Sequence, residues 1–211
     1  MKKILLLTLL VTLNMFSQNK NEEQSEYFNE AENFLKLSKH DNINLYGAIN
    51  NFFIAYLYNK ENNIGKISKN KIDSIKPIIR SILVSKWKGK WKRISPLTDS
   101  EDTFIEVKNE NFSLYTVSPN SSKHNIVLNE EIKFYEYKLD NIGLIDDLWN
   151  LEFSNNEIWN FVLKAEINEE FLYTILKTDS NGITTIKHRP IYRYEREVNI
   201  YEDEIKYERV K

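Results

Sequence analysis

The side chains that most often carry out chemistry are sparse and far apart in this chain. The three histidines stand at positions 40, 124 and 188, and none lies at helical or strand spacing from another histidine or from a suitable carboxylate. Cysteine is absent, which removes thiolate ligands, cysteine nucleophiles and disulfides. A zinc site needs about four converging ligands, so the sequence predicts no metal centre. His188, beside Arg189 on an expected strand, is predicted to be a surface or rim residue.

The hydroxyl and carboxylate residues do not form a known catalytic pattern either. No serine lies in a Gly-x-Ser-x-Gly elbow. The pair Asp146–Asp147 lies in an expected loop without the ligand spacing of a calcium loop, and the acidic stretch around Asp99 and Asp102 is interpreted in the same way, as a solvated turn. An exported hydrolase is therefore the least favoured function, and we expect no enzyme activity and no cofactor.

Aromatic residues in the second half of the chain are better candidates for a site. Aromatic walls with a few polar groups suit a pocket for a lipid-like or planar ligand. We take Trp149, Trp159, Phe161 and Tyr173 as candidate ligand-contacting residues. The same side chains also suit a dry core, and the sequence leaves these two alternatives open.

Composition excludes several classes of partner. The chain has 211 residues, of which 41% are hydrophobic and 28% charged, so it can bury a substantial core. The net charge is −2, without a strongly basic segment. We therefore expect neither a nucleic-acid interface nor a polybasic membrane patch.

Residues 1–18 have the pattern of a cleaved signal peptide. Lys2 and Lys3 precede an apolar run of about ten residues, which is short compared with the roughly 20 residues of a membrane-spanning helix. The Phe16-Ser17-Gln18 exit resembles the leaders of Bacteroidetes proteins. The sequence thus predicts an exported protein, periplasmic or secreted, with no membrane span after cleavage.

Residues 19–86 have helical spacing of apolar side chains. Turn formers at 39–42 and at 59–63 divide this region into three runs. Pro77 lies inside the third run and is expected to kink or split that helix near Lys76. We therefore predict a helical hairpin region that packs against another part of the chain.

One part of this region resembles a tetratricopeptide-type hairpin. The resemblance rests on Leu45-Tyr46-Gly47-Ala48-Ile49, on Ala55 near the end of the second run, and on Asn62-Asn63-Ile64-Gly65. It implies close helix packing through small residues and a surface that docks a partner protein. The typical Trp and a second copy of the pattern are missing, so a plain α-hairpin is the alternative.

Residues 87–198 change to the two-residue alternation of strands, most clearly at 157–167. Eight short strands are predicted, at 90–94, 103–108, 112–117, 131–139, 148–153, 157–167, 171–177 and 183–188, the last continuing through 191–194. Short connections favour an antiparallel meander that closes by pairing its first and last strands. The predicted fold class is thus α+β, with a helical region before a β-barrel, and a flat sandwich is the alternative. Residues 199–211 are expected to form a charged tail, with a last strand or a short helix as options.

The start of this part resembles a lipocalin-type barrel. Gly89-Lys90-Trp91 follows a helix and opens the first strand, as the Gly-x-Trp motif does in that family. The resemblance implies that Trp91 closes one end of the barrel and that a basic residue of the last strand packs over its ring. Arg193 is our candidate for that residue, with Arg189 and Arg196 as alternatives.

Together these observations predict an exported, non-catalytic binding protein whose barrel holds a small hydrophobic ligand. The alternative is a protein–protein interaction or scaffold module of the cell envelope with a solid barrel core. In that alternative, the helical region and an aromatic surface patch around Tyr135, Tyr137 and Trp149 contact the partner.

Overall fold

The computed structural model describes residues 2–94, 101–118, 123–139, 145–166, 169–178, 181, 188–193, 196–201 and 204–210. The chain forms two compact units, Met1–Ile82 and Leu83–Lys211, which are described separately. The sequence predicts a domain boundary between residues 86 and 87. In the structure the last turn of the third helix, from Leu83 to Trp87, already belongs to the second unit. Leu83, Val84 and Trp87 pack there against the sheet.

The first unit is helical, as the apolar spacing predicts. The helices are α1 (Lys2–Leu37), α2 (Asn44–Tyr58) and α3 (Asn63–Trp87), the last of which extends into the second unit. Both predicted turns are confirmed. Pro77 does not split α3, which continues through it, and the buried apolar stripe of Ile72, Ile75 and Ile79 runs along both sides of the proline.

A buried polar clamp joins α1 to the end of α2 and to the start of α3. The fully buried Gln24 side chain donates to the carbonyl of Ala55 over 2.8 Å and to that of Asn59 over 3.0 Å. Its Oε1 accepts a 2.6 Å hydrogen bond from Asn62 Nδ2. Asn62 Oδ1 in turn accepts from the amide of Gly65 in the first turn of α3. The clamp satisfies backbone carbonyls at a helix end, which otherwise lack partners.

The second unit is built from antiparallel strands. They are β1 (Gly89–Arg93), β2 (Asp102–Lys108), β3 (Asn111–Val117), β4 (His124–Glu131), β5 (Leu151–Glu152), β6 (Ile158–Glu166), β7 (Glu169–Thr178), β8 (His188–Arg193), β9 (Arg196–Tyr201) and β10 (Glu204–Arg209). Eight of these strands form one curled half-barrel sheet in the order β4-β3-β2-β1-β10-β7-β6-β5. Strands β8 and β9 form a separate two-stranded sheet. The α+β fold class is thus confirmed.

The pairing of the first strand with the last is also confirmed, but the last strand is not the predicted one. Trp91 of β1 lies opposite Arg209 of β10, whereas 191–193 belong to β8 and pair with β9. Strand β10 falls in the expected charged tail. It lies in the middle of the sheet, between β1 and β7, because Ile205 and Tyr207 alternate with charged residues and pack against the core.

The segment that follows β4 contacts strand β5 through an isolated bridge, and we call this contact the seam. Phe134 and Leu151 form an antiparallel bridge there. Two backbone hydrogen bonds accompany the bridge, from Glu152 N to Lys133 O over 2.8 Å and from Tyr135 N to Asn150 O over 2.9 Å. Glu130 adds a side-chain link, because its carboxylate accepts from the amide and hydroxyl of Ser154.

Two predicted strands were wrong in their bounds. Of the predicted strand at 131–139, only Glu131, the last residue of β4, is strand; residues 132–138 are irregular apart from the bridge at Phe134. In the segment at 148–153, a 3₁₀ turn covers Ile145–Trp149 and only Leu151–Glu152 is strand. The predicted strand at 183–188 lies mostly outside the described residues.

Candidate functional site

The concave face of the half-barrel carries a closed core to which the last turn of α3 contributes. Its buried members are Trp87, Trp91, Ile105, Val107, Phe112, Leu151, Phe153, Phe161, Leu172 and Tyr207. The aromatic rings pack edge-on or tilted, with centroids 5.4 Å apart for Phe112 and Phe161 and 5.7 Å apart for Trp87 and Phe161. Such contacts add to the stabilisation that comes from area burial alone. The floor of the half-barrel is therefore well packed.

The end of α3 and the start of β1 are fixed by a cluster around Trp91. The Trp91 indole N–H donates to Trp87 O over 2.8 Å. The Arg209 guanidinium lies over the Trp91 ring and donates to Lys88 O over 2.9 Å and to Lys86 O over 3.1 Å. Gly89 has a φ of +122°, which L side chains rarely adopt. These contacts satisfy carbonyls at the C-terminus of the helix.

The basic residue over Trp91 is therefore Arg209, and the prediction named Arg193. Strand β8, which contains Arg193, lies outside the eight-stranded sheet, so this residue is not opposite Trp91. The signal for Arg209 was present in the sequence as the alternation of Ile205, Tyr207 and Arg209 at the end of the chain. Arg209 was missed because the charges of its neighbours resemble a solvated tail.

A second part of the concave face is apolar but only half buried. We call it the open half. Its members are partly exposed and pack on the core: Leu114, Leu128, Trp159, Leu163 and Ile205. Leu114 and Leu128 lie opposite each other on β3 and β4. The sheet thus presents accessible hydrocarbon on the inside of its curvature.

One polar atom in this core, Trp87 Nε1, is buried without a hydrogen-bond partner among the described residues. The Thr174 side chain is 1% exposed, and in register the residue lies between Phe161 of β6 and Ile205 of β10. Tyr207 lies on the same face of β10. Burial raises the pKa of Tyr207, while the Arg93 charge and a side-chain hydrogen bond with Thr174 act in the opposite direction.

The structure brings only two of the four candidate ligand residues to this face. Phe161 lies in the closed core and Trp159 in the open half. Trp149 is buried at the end of the 3₁₀ turn, beside Asn150. Tyr173 lies on the opposite face from its neighbour Leu172, because side chains alternate along a strand.

On the convex face, Tyr173 belongs to a charged cluster. Its hydroxyl donates to Glu166, which also accepts a 2.6 Å hydrogen bond from Lys206. Lys164 lies over the Tyr173 ring at 4.2 Å from its centroid. The bonds from Lys206 and Tyr173 lower the pKa of Glu166, whereas burial and the Glu166 hydrogen bond raise the pKa of Tyr173. The raised pKa favours the protonated form of the Tyr173 hydroxyl.

Polar side chains near Trp149 form a buried hydrogen-bond network. Asn160 Nδ2 donates to Asn150 Oδ1 over 2.6 Å, and Asn150 Nδ2 donates to the Tyr137 hydroxyl over 3.3 Å. Asn150 is fully buried. Burial is also the main cause that raises the pKa of Tyr137. Because its members bond to one another, this network has the character of a structural element.

An open groove of about 590 Å³ lies where β10 ends between β1 and β7. Its lining is mostly charged, from Lys92, Glu169, Glu170, Glu208 and Arg209, with Phe171 as the aromatic member. The two cations already have partners, since Lys92 pairs with Asp102 at 2.9 Å and Arg209 holds the end of α3. Both basic residues of the groove thus already contact oxygen atoms of the chain.

Within the described ranges, no three His, Asp or Glu side chains are arranged to hold a metal ion. His124 stacks on Tyr115 with ring centroids 4.7 Å apart, and His40 lies in the turn after α1. No helix in the described part of the chain is long and apolar enough to cross a membrane. Comparisons with protein-family models, with curated proteins and with solved structures found no match.

Proposed function

We propose that this chain is a non-catalytic binding protein that holds a small, mainly apolar ligand against the open half of its concave face. The observation that carries the proposal is that Leu114, Leu128 and Ile205 stay half buried although the core beside them is complete. Apolar surface left open inside a concave sheet is the usual setting of a small-molecule site. The lipocalin resemblance of the Gly89–Trp91 motif agrees with this use of the sheet.

The protein is also proposed to be exported, with residues 1–18 removed as a signal peptide. The support is the sequence pattern of two lysines followed by a short apolar run. Intact-mass measurement of the protein recovered from the periplasm or medium tests this point. A mature chain that begins near Asn19 supports export, and a full-length chain in the cytosolic fraction contradicts it.

The ligand proposal is tested by titration with N-phenyl-1-naphthylamine, a neutral probe whose fluorescence rises in apolar surroundings. We expect saturable binding to the full chain. The Leu128→Gln variant should weaken it about tenfold, or about 1.4 kcal/mol, because an amide replaces apolar contact. Ile126→Gln on the same strand is the matched control, since Ile126 is 68% exposed and should affect binding little.

Equal binding by the two variants, or no saturable binding at all, would contradict the ligand proposal. The second candidate is then a protein–protein interaction module that uses its helical, tetratricopeptide-like unit. Its support is a set of large apolar side chains that this unit exposes: Leu37, Ile43, Leu57 and Ile78. Crosslinking in the cell envelope should lose its product on Ile43→Lys, with Lys39→Glu as the control.

A further inference from the structure

A side-chain hydrogen bond at the edge of the open half holds a carboxylate against an aromatic ring. The Trp159 indole N–H donates to Glu157 Oε2 over 2.9 Å, and both residues are half buried. Trp159 belongs to the open half and packs on the closed core. The bond therefore orients the indole and keeps the Glu157 carboxylate beside the proposed ligand site.

The register of the hairpin formed by β5 and β6 places Glu157 on the concave side. Leu151 pairs with Trp159 in the ladder of these strands. Two positions further, the Phe153 amide donates to the Glu157 carbonyl over 3.0 Å. Opposed side chains of an antiparallel pair share a face, and Phe153 belongs to the closed core. Glu157 therefore projects from the concave face, at its edge.

The Glu157 carboxylate forms no ion pair within the described residues. Its contact there is the Trp159 indole, and the other bonds of this residue are made by its backbone. Lys133 pairs at 2.7 Å with Glu152, which lies on the other face because both of its chain neighbours belong to the closed core. Glu130 adds a second carboxylate at the turn of this hairpin. The edge of the open half is therefore negative.

We infer that the ligand of the concave face is an amine, with a protonated nitrogen that pairs with Glu157 beside the Trp159 ring and an apolar body that covers the open half. A cation in this position gains a cation–π contact in addition to a charge-assisted hydrogen bond. Alkylamines and arylalkylamines belong to this class. The inference rests on the proposed function and specifies its ligand.

Ligands with other polar groups fit this edge less well. The carboxylate of a fatty acid would lie close to the negative charges of Glu157 and Glu130, and like charges at short range repel. A neutral alcohol could donate one hydrogen bond to Glu157 but would gain neither the ion pair nor the cation–π contact. Glu157 is therefore expected to determine the charge of the ligand, and Trp159 to contact its apolar body.

The test measures displacement of bound N-phenyl-1-naphthylamine by decylamine, 1-decanol and decanoate, which share an alkyl chain and differ in charge. In the unmodified protein, decylamine should displace the probe about five- to tenfold more effectively than either of the others. Glu157→Gln removes the charge but keeps an acceptor for the Trp159 indole, so it should abolish this advantage. Glu106→Gln is the control and should keep it, because Glu106 is a half-buried glutamate that alternates with two core residues and lies on the convex face.

Two further readouts separate this inference from a purely structural role of Glu157. Binding of the neutral probe should change less than about twofold in Glu157→Gln, because the indole keeps its hydrogen bond, and a larger change would overturn the inference. The advantage of decylamine in the unmodified protein should also shrink in high salt, as expected for an ion pair at the protein surface.

Equal displacement by decylamine and 1-decanol in the unmodified protein would overturn the inference and leave the proposed function intact. An advantage of decylamine that survives in Glu157→Gln would do the same, because another group would then carry the charge preference. Failure of the probe to bind the unmodified protein would overturn both the inference and the proposed function.

Discussion

The guanidinium of Arg209 lies 4.2 Å from the centroid of the Trp91 ring, directly opposite it in the β1–β10 ladder. The same guanidinium donates to two carbonyls at the end of α3. One side chain therefore joins the last strand of the chain, the first strand and the helix before it. The contact explains why a charged strand can occupy the middle of the sheet.

Replacing Arg209 with Met should destabilise the protein by about 1–3 kcal/mol, because it removes a cation–π contact and two hydrogen bonds to a helix end. Urea unfolding followed by tryptophan fluorescence measures the change. Glu208→Gln is the control, since the Glu208 side chain is exposed and makes no hydrogen bond or ion pair within the described residues. An Arg209 variant that unfolds at the same urea concentration as this control would contradict the assigned role.

Gly89→Ala should destabilise the protein by about 1–2 kcal/mol, since its φ of +122° is strained for any residue with a Cβ. The added Cβ would also lie 3.1 Å from an Arg209 guanidinium nitrogen. Measuring Gly89→Ala in the Arg209→Ala background separates these causes. Most of the loss should remain there, because backbone strain does not depend on Arg209, and full recovery would show that crowding was responsible.

The convex cluster of Glu166, Tyr173 and Lys206 should make stability depend on pH. The pKa of Glu166 is lowered in the folded state, so its contribution is present above its unfolded pKa and is lost as the pH falls through the folded value. The pKa of Lys206 is raised, so its contribution is lost only as the pH rises through its folded value in the alkaline range.

We therefore expect Glu166→Gln to lower the urea midpoint at neutral pH and to match the unmodified protein once the pH falls well below the ordinary range of glutamate. The difference should also shrink in high salt, because Glu166 and Lys206 are partly exposed and their ion pair is screened. A midpoint difference that stays constant down to the most acidic condition would argue that packing is lost and not charge.

In the helical unit, Gln24→Leu should cost about 1–3 kcal/mol, because the carbonyls of Ala55 and Asn59 and the Asn62 side chain lose their partner. Hydrogen exchange of the full chain should show faster exchange at the end of α2. Ser25→Ala is the neighbouring control, since its hydroxyl makes an exposed bond within α1. Equal protection in both variants would contradict the clamp.

Sequence patterns predicted the elements whose periodicity is set by one buried face. The alternation of Phe161 and Leu163 in β6 is an example. The turn formers on either side of α2 also predicted the ends of that helix. Strand β4 was missed because the adjacent residues Ile126 and Val127 are both exposed. Apolar and polar residues therefore do not alternate along this part of the strand. A register irregularity at Leu114/Tyr115 displaces the pairing further.

The residues of the candidate site were predictable only in part, because the sequence does not fix the register of the strands. Phe161 and Tyr173 are both aromatic and strand-bound, and the sequence alone does not tell on which face each one lies. Trp87 was not selected, because only the structure shows that its indole N–H is buried without a partner among the described residues. Arg193 was selected over Arg209 because the order of strands is set by contacts distant along the chain.

The seam at Phe134 and Leu151 is a weakly bonded junction of the sheet. Its two main-chain bonds are few compared with the continuous ladder that joins β2 to β3. Partial unfolding begins where the least bonding must be broken. Under the proposed function, a ligand wider than the concave face enters by parting this seam, while the β1–β10 junction and Trp91 stay in place.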